Sequence, residues 1–377
     1  MLRRIVQSLM KKSSVVDRMK TKNFYIVIGF IVVTSGSLWL ISFPSPTFQN
    51  IVTKTHKGIK NLPSNIQIRV KHQLTIDPIY LAHLGLNSQT QSNEGVEPSK
   101  SEYTLVVGSS VEPEKFQDAV EFMESVRKNM AGYRLVMYDL GLSQQEGALL
   151  KKYCNSSWNC VVQVFDFQKY PSHVAELSIK SYRPICIQEM LNTYNAVIWA
   201  DEAEYFLPGN WTPIVVQAKE TGLAAWTIED PTSAITHPKM FDYFETKQSS
   251  YYFHRAVETS HIVIYGKPDV KNKIMLPWVK CALLEGCINP TGAQNAGCNF
   301  FRKPLFLYSG CHYYDMSALN VILGQVFEYD ERGYASKETV FGNLIDDRLA
   351  AKNVSDPLHR SRLKLREYLN GKVVGTS

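Results

Sequence analysis

The chain has 377 residues, and its 41 lysines and arginines against 35 aspartates and glutamates give a formal net charge of +6. All of that excess lies in residues 1–23, where seven basic residues face a single acid, Asp17, so the rest of the chain is formally neutral. Because the excess is confined to one end, the composition argues against a basic surface for nucleic acid on the rest of the chain.

A long apolar run follows this basic tail. Residues Phe24–Phe43 contain no charged side chain, and a helix of that length can cross a bilayer core of about 30 Å. The positive charge before the run predicts a cytosolic N-terminus and a lumenal C-terminal part, as in a single-pass type II membrane protein. The alternative is a cleaved signal peptide, whose apolar region is usually shorter and is followed by a small-residue cleavage site.

Glycosylation sequons and cysteines fit a lumenal location. The sequons begin at Asn155, Asn210 and Asn353. Cys186 lies in an apolar helical pattern, whereas six cysteines in or beside predicted loops are candidates for disulfides: Cys154, Cys160, Cys281, Cys287, Cys298 and Cys311. Many connectivities are open; a Cys154–Cys160 bridge is favoured because it would close a turn between a helix and a strand. Reduced core cysteines are the alternative.

Composition divides the predicted lumenal part into three segments. Residues 44–102 are predicted to form a stem, because the stretch Asn87–Glu102 is polar and has little apolar surface to bury. The apolar patterns of a folded domain extend over residues 103–350. Residues 351–377 form a basic tail that includes the stretch His359–Tyr368.

Strands and helices are predicted to alternate in the domain. Short β-rich runs start at Thr104, Arg134, Val161 and Ala196. Helical patterns lie between them over residues 113–132, from Ser143 onward, and over residues 174–194, where Pro184 is expected to bend the helix. This alternation predicts parallel βαβ units, and therefore an α/β fold with a mainly parallel sheet flanked by helices.

Small and acidic residues follow the predicted strands. They are Gly108, Ser109 and Ser110 after the first strand, Asp139 after the second, Asp166 after the third and Asp201 after the fourth. Ligands of open parallel sheets bind beyond the carboxyl ends of the strands. The set is therefore predicted to form one rim that binds a nucleotide donor and a divalent cation, although each residue is also an ordinary turn former.

Two cations, Lys180 and Arg183, precede the fourth strand on a predicted helix that faces this rim. A cation there would neutralise a diphosphate leaving group. A solvated basic face is the alternative.

Several phosphate-binding and nucleophile motifs are missing from the sequence. There is no G-x-G-x-x-G after the first strand, no G-x-x-x-x-G-K-[ST] and no G-x-S-x-G. Dinucleotide enzymes, P-loop enzymes and α/β-hydrolases are thereby disfavoured. A lumenal α/β nucleotide-binding domain without these loops points towards sugar transfer.

The tract Ala196–Phe206 (AVIWADEAEYF) resembles the element of GT-A glycosyltransferases in which an acidic motif after the fourth strand binds the metal and diphosphate of a nucleotide-sugar. Three blocks resemble the cysteine-containing blocks of a nematode-expanded family of uncharacterised type II membrane proteins: Trp278–Pro290, Gly297–Phe300 and Tyr308–Leu323. The resemblance implies a GT-A-like fold, a nucleotide-sugar donor, a glycan or glycoprotein acceptor, and Mn²⁺ or Mg²⁺ as cofactor. The resemblance to the uncharacterised nematode-expanded family brings a fold expectation but no established activity.

Two positions depart from the GT-A pattern. An Asp-x-Asp motif needs a second carboxylate two residues after the first, and Ala203 stands at that spacing from Asp201. The segment Tyr314–Asn320 resembles an Asp-Gln-x-x-Leu-Asn segment of retaining galactosyltransferase-like enzymes. It offers Asp315 as the catalytic candidate, but Met316 stands where the Gln would be and supplies no hydrogen-bond donor.

A late histidine completes the metal site in several GT-A families, so His312 is a candidate metal ligand beside Asp201. A structural histidine is the alternative. The leading hypothesis is a Golgi glycosyltransferase that moves a hexose from a nucleotide-sugar to a glycan or glycoprotein acceptor. Ala203 and Met316 favour the alternative, a catalytically inactive lumenal binding protein of the same fold. A third hypothesis, a Golgi sulfotransferase, is disfavoured because the sequence contains no recognisable phosphosulfate-binding loop.

Overall fold

The computed structural model describes residues 76–86, 103–301 and 303–347, together with Thr34. The basic tail, the rest of the predicted anchor Phe24–Phe43, most of the predicted stem and the C-terminal tail lie outside these residues. Within the described residues, no helix combines the length and the apolar character needed to cross a bilayer.

A central six-stranded sheet organises the domain. The strands of the structure are β1 Thr104–Val111, β2 Arg134–Asp139, β3 Cys160–Val164, β4 Asn195–Ala200, β5 Glu204–Phe206, β6 Leu223–Pro231, β7 Arg255–Tyr265 and β8 Phe341–Asn343. The sheet order is β3-β2-β1-β4-β7-β6, and β5 pairs with β8 in a separate antiparallel ladder. Strands β1 to β4 pair in parallel, whereas β7 is antiparallel to both β4 and β6. The predicted α/β fold with a mainly parallel sheet is confirmed.

Helices cover both faces of this sheet. They are α1 Pro78–His83, α2 Phe116–Asn129, α3 Gln144–Tyr153, α4 Tyr182–Tyr194, α5 Thr212–Thr221, α6 Thr232–Ile235, α7 Pro238–Tyr243, α8 Pro268–Val270, α9 Leu276–Ala282, α10 Glu285–Ile288 and α11 Tyr314–Val326. Short 3-10 turns lie at Ser156–Trp158, Phe167–Lys169, Ser172–Ala175, Leu177–Ile179, Gln248–Tyr251 and Glu331–Gly333, and a π-helical turn at Lys271–Met275 joins α8 to α9. Alternate residues of the strands enter two cores, the larger one beneath α4, α9 and α11 and the smaller one beneath α2 and α5.

Local sequence explains where the helices next to the candidate site begin. Ser143 and Glu146 form a capping box at α3, with each side chain accepting a hydrogen bond from the other residue's backbone N–H at 3.2 and 3.1 Å. The helix predicted over residues 174–194 is shorter, because 3-10 turns occupy its first part. Pro184 lies in the first turn of α4, where no backbone N–H is needed, so it starts the helix and does not bend it.

Part of the predicted stem belongs to the folded domain. The chain forms α1 and then buries Leu84 and Leu86 in the larger core. Asn192 on α4 donates a hydrogen bond to the Leu84 carbonyl oxygen at 3.0 Å. Two buried leucines and a bonded carbonyl therefore hold the segment 76–86 against α4.

The structure pairs six cysteines as Cys154–Cys160, Cys281–Cys287 and Cys298–Cys311. The first bridge closes the turn between α3 and β3. The thiol of Cys186 stays free and is buried on α4.

Gly222 ends α5 in a conformation that only glycine adopts readily. Its φ is +92°, and a Cβ built there would lie 2.2 Å from Cγ2 of Val270. We expect Gly222→Ala to destabilise the domain by roughly 2–4 kcal/mol, from left-handed strain plus overpacking. Gly132→Ala is the matched control, because φ is +98° there and no atom lies within 4 Å of the built Cβ. Urea denaturation would measure the free energy of unfolding of both variants. Equal losses in the two would show that contact with Val270 adds nothing to the backbone strain.

Candidate functional site

A cleft opens beyond the carboxyl end of β4. The order of strands reverses between β1 and β4, and α/β sheets bind ligands at such a switch point. The cleft has a volume of about 320 Å³. Its lining comes from the turn before α4 and the start of that helix, from β5, the middle of β7, β8 and the start of α11, and includes Lys180, Arg183, Glu204, Glu258, Thr259, Ser260, Asp315 and Asn343.

Arg183 lies at the base of this cleft and joins two buried carboxylates. Its Nε donates to Oδ1 of Asp201 at 3.1 Å, and its Nη2 donates to Oδ2 of the same residue. Its Nη1 donates to Oδ2 of Asp315 and, at 2.8 Å, to Oγ1 of Thr259. Trp199 Nε1 also donates to Asp201, at 2.9 Å. All these groups are held in fixed positions by a fork of charge-assisted hydrogen bonds.

The balance between burial and ion pairing shifts the pKa values of Asp201 and Asp315 in opposite directions. Burial raises the pKa of Asp201, but Arg183 and Lys180 outweigh burial and hold that pKa below its ordinary value. Burial also raises the pKa of Asp315, and here the attraction to Arg183 does not fully offset it. The single positive charge of Arg183 is therefore shared by two carboxylates, and the attraction exceeds the effect of burial only at Asp201, where Lys180 also contributes.

Lys180 provides the more accessible cation of the cleft. Its backbone is left-handed, with φ 54°, at the turn that precedes α4. Its Nζ donates to Glu112, the residue after β1, and to the Tyr182 hydroxyl at 3.1 Å, while that hydroxyl donates to Glu112 at 2.7 Å. The side chain of Lys180 keeps 28% of its surface exposed.

Glu202 is a buried carboxylate without a complete set of partners. Its Oε2 has no hydrogen-bond partner among the described residues. Burial and the neighbouring charge of Asp201 raise the pKa of Glu202 to about 7. A group with such a pKa changes its charge near neutral pH.

A bulge in β7 shapes the other wall of the cleft. Ile262 pairs with Ala225 of β6 and Val257 pairs with Thr227, so the four residues 258–261 stand opposite the single residue Trp226. In a regular strand, positions three apart point to opposite faces. The bulge instead brings Glu258 and His261 together, beside Glu204 of β5.

These three side chains form a compact group. One ligand atom from each of Glu204, Glu258 and His261 lies within 4.8 Å of the other two. His261 Nδ1 is 3.7 Å from Oε2 of Glu204 and 3.8 Å from Oε2 of Glu258. Asn343 donates to Oε1 of Glu204 at 2.9 Å, which fixes that carboxylate.

The residues predicted to bind the donor after the first two strands do not line the cleft. Strand β1 continues to Val111, so Gly108, Ser109 and Ser110 are buried within it and do not form a phosphate-binding loop. A Cβ at Gly108 would lie 2.5 Å from Sδ of Met190, which explains the glycine as a close contact between β1 and α4. Asp139 ends β2 and accepts the N–H groups of Gly141 and Leu142 at 2.9 and 2.8 Å, as in an ordinary turn.

The residues that the GT-A resemblance assigns to a metal do not fit one. Both carboxylate oxygens of Asp201 hold Arg183. His312 is fully buried, and burial lowers its pKa to about 3. Its Nε2 bonds the carbonyl of Ile288 at 3.0 Å and its Nδ1 accepts the N–H of His237 at 3.2 Å, so neither ring nitrogen is free. The alternative interpretation of His312, a structural histidine, matches this geometry.

The sequons differ in how they present their asparagines. Asn210 is exposed and its Oδ1 accepts the N–H of Thr212 at 3.0 Å. Asn155 is half-buried, and its Nδ2 donates to the carbonyl of Lys152 at 2.8 Å. Asn353 lies outside the described residues.

A family model described as a protein of unknown function (DUF1647) matches residues 77–188. That segment runs from α1 through β3 to the first turns of α4, and it includes Lys180 and Arg183 but not Asp201. No curated protein matches the chain.

Similar solved structures include three with transferase or synthase names. WbbM, a bifunctional glycosyltransferase, is 12% identical over 62% of this chain and 39% of its own, with a TM-score of 0.39. Core-mannan synthase A of Aspergillus fumigatus, in an Mn/GDP form, is 6% identical over 61% and 72%, with a TM-score of 0.40. Mouse xyloside xylosyltransferase 1 is 9% identical over 62% and 84%, with a TM-score of 0.36. The match thus spans well under half of the bifunctional enzyme.

Proposed function

We propose that this chain is a glycosyltransferase of the GT-A type that moves a hexose from a nucleotide-sugar to a glycan or glycoprotein acceptor. The position of the cleft carries the proposal, because it opens at the switch point where α/β sheets bind nucleotide ligands. Its volume of about 320 Å³ lies in the range of small-molecule sites. Hydroxyl, amide and phenol groups line it and can bond sugar hydroxyls: Ser178, Thr259, Ser260, Asn295, Tyr313, Tyr314 and Asn343.

Within this function, Lys180 is the side chain that would attract the diphosphate. It lines the cleft with part of its surface exposed, whereas Arg183 is consumed by two carboxylates. A cation beside the leaving group stabilises the charge that develops as the sugar departs.

A lumenal Golgi location, with Phe24–Phe43 as a type II anchor, belongs to the same proposal. The three disulfides support it, because such bonds persist in the oxidising secretory pathway and are rare in the cytosol.

One observation favours the second candidate, a catalytically inactive binding protein of the same fold. Arg183 pairs with both Asp201 and Asp315, the acids that the resemblance assigns to the metal and to catalysis. Met316 also lines the cleft at the position where the resemblance has a Gln. A binding protein would retain nucleotide affinity without transferring a sugar.

Thermal unfolding of the full-length chain with nucleoside diphosphates tests the proposal. At a concentration of 100 times Kd, a bound diphosphate adds about 2.7 kcal/mol of stability, which corresponds to a rise in melting temperature of roughly 5–10 °C. We expect Lys180→Met to reduce this rise, and Lys151→Met, on the exposed side of α3, to leave it unchanged. The absence of a rise with uridine, guanosine and cytidine diphosphates would contradict both candidates. A rise without release of sugar from the matching donor would identify the inactive protein.

A further inference from the structure

We propose that Glu204, Glu258 and His261 bind a divalent cation at the side of the cleft. Their ligand atoms converge, with His261 Nδ1 at 3.7 and 3.8 Å from the nearest carboxylate oxygens of the two glutamates. Neighbouring ligands of an octahedral Mg²⁺ or Mn²⁺ site are about 3 Å apart, given metal–oxygen distances of about 2.1 Å. Each ligand atom therefore needs to move by less than 1 Å or so to close around the ion.

The two glutamates of this group carry negative charge that no lysine or arginine of the described residues balances. The side chain of Glu204 is only 4% exposed, and in the described part of the chain no lysine or arginine pairs with it or with Glu258. A buried carboxylate without a cationic partner is costly. The two cations lining the cleft pair with other acids, Lys180 with Glu112 and Arg183 with Asp201 and Asp315, so neither pairs with Glu204 or Glu258. A divalent ion would supply the missing positive charge.

Surrounding contacts hold the three ligands in place, and the Ser260 hydroxyl also bonds two of the proposed ligand atoms, Oε2 of Glu258 and Nδ1 of His261. Asn343 occupies Oε1 of Glu204 and leaves Oε2 facing His261. The His261 ring packs against both Trp226 and Phe341, with ring centroids 5.0 and 4.5 Å away, and those two rings also contact each other. Outer contacts of this kind orient metal ligands and raise metal affinity.

Ser260 adds an oxygen to the same group. Its hydroxyl lies 3.3 Å from Oε2 of Glu258 and 3.1 Å from Nδ1 of His261. Two carboxylates, a hydroxyl and one imidazole form a mixed oxygen and nitrogen set, which suits Mn²⁺ better than the all-oxygen preference of Mg²⁺. Even with the Ser260 hydroxyl as a fourth ligand, an octahedral ion would keep coordination positions open to water or to ligand oxygens in the cleft.

This position differs from the one that the GT-A resemblance implies. The implied ligands, Asp201 and His312, are engaged by Arg183 and by backbone groups. The proposed site uses Glu204, three residues after Asp201, with two residues that the bulge in β7 contributes. It is independent of the proposed transferase activity, because it requires no nucleotide.

Titration of Mn²⁺ alone into the chelator-treated full-length chain tests the site, with bound ion followed by calorimetry and by loss of the free Mn²⁺ electron-spin signal. We expect one site in the wild type, with affinity reduced at least tenfold in Glu258→Gln and in His261→Asn. Glu258 is the safer change for folding, because 44% of its side chain is exposed. Glu229→Gln and His83→Asn, both exposed, are the matched controls and should bind as the wild type does.

Three results would overturn the site. The first is a wild-type chain that binds no Mn²⁺. The second is unchanged binding in Glu258→Gln and His261→Asn when their melting temperatures show that they are folded. The third is that Asp201→Asn no longer binds Mn²⁺ while Glu258→Gln still does. That result would place the ion at the position implied by the resemblance.

Discussion

Replacing Arg183 with methionine is expected to destabilise the domain by roughly 3–5 kcal/mol, because the change leaves buried carboxylates without their cation. Arg183 is 4% exposed, and its guanidinium bonds both Asp201 and Asp315. Methionine retains most of the length of the side chain, so the loss would come from charge and not from a large cavity. Thermal unfolding should show a decrease of about 10 °C or more in the melting temperature.

The chain offers a matched control for this variant. Arg332 makes a forked contact with Asp330, at 2.8 and 3.1 Å from Nε and 2.6 Å from Nη2, but its side chain is exposed. Solvent screening makes such a surface pair weak, so Arg332→Met should leave the melting temperature unchanged. Equal effects of the two substitutions would show that burial does not strengthen the Arg183 network. Arg183→Lys should restore only part of the stability, because an ammonium group cannot fork between two carboxylates.

The second large effect concerns Glu202 and pH. Its pKa is about 7 in the folded chain against an ordinary value of 4.5, so the folded state binds its proton more tightly than the unfolded state does. Stability from this group is therefore full below about pH 4.5 and declines as pH rises through about 7, by roughly 3 kcal/mol in total. We expect Glu202→Gln to remove that decline, since its amide does not ionise.

Melting temperatures of wild type and Glu202→Gln at pH 5 and pH 8 provide the measurement. The difference between variant and wild type should move in favour of the variant as pH rises, whatever other groups titrate in both proteins. Glu229→Gln, an exposed change on β6, should show no such trend. A constant difference across the pH range would mean that Glu202 keeps an ordinary pKa and that water or another group satisfies its Oε2.

The sequence predicted the parallel half of the sheet because its strands are continuous apolar runs. Strands buried on both faces read in this way, and β1, β2, β3 and β4 begin within a residue of their predicted starts. The antiparallel half was not predicted. Strand β7 reads as two segments of different character, since the bulge at residues 258–261 interrupts its alternation with polar side chains.

The candidate site was predictable only in part, because the bulge in β7 is not visible in the sequence. Asp201 lies directly after β4, as the end of an apolar run indicates. Glu258 and His261 are three residues apart, and that spacing in a strand suggests opposite faces. Only the bulged register brings them together, and it depends on pairing with β6 and β4, which are distant in sequence.

Arg183 was assigned to a diphosphate because a sequence shows charge but not the acids that approach it in space. Its partners lie 18 and 132 residues away along the chain. The strand extension through Ser109 and Ser110 was missed for a related reason. Small residues usually signal turns, and only the structure shows that Gly108 lies inside a strand because Met190 packs closely on it.

The contact of the segment 76–86 with α4 sets a limit on how the protein can be shortened. A recombinant domain that began at Tyr103 would keep every strand of the sheet but would expose the apolar hollow that Leu84 and Leu86 fill. The amide groups of Gln188 and Asn192 would also lose the carbonyl oxygen of Leu84 as their acceptor. Such a truncation would tend to aggregate through that hollow, whereas one that begins ahead of Ile76 would keep it closed.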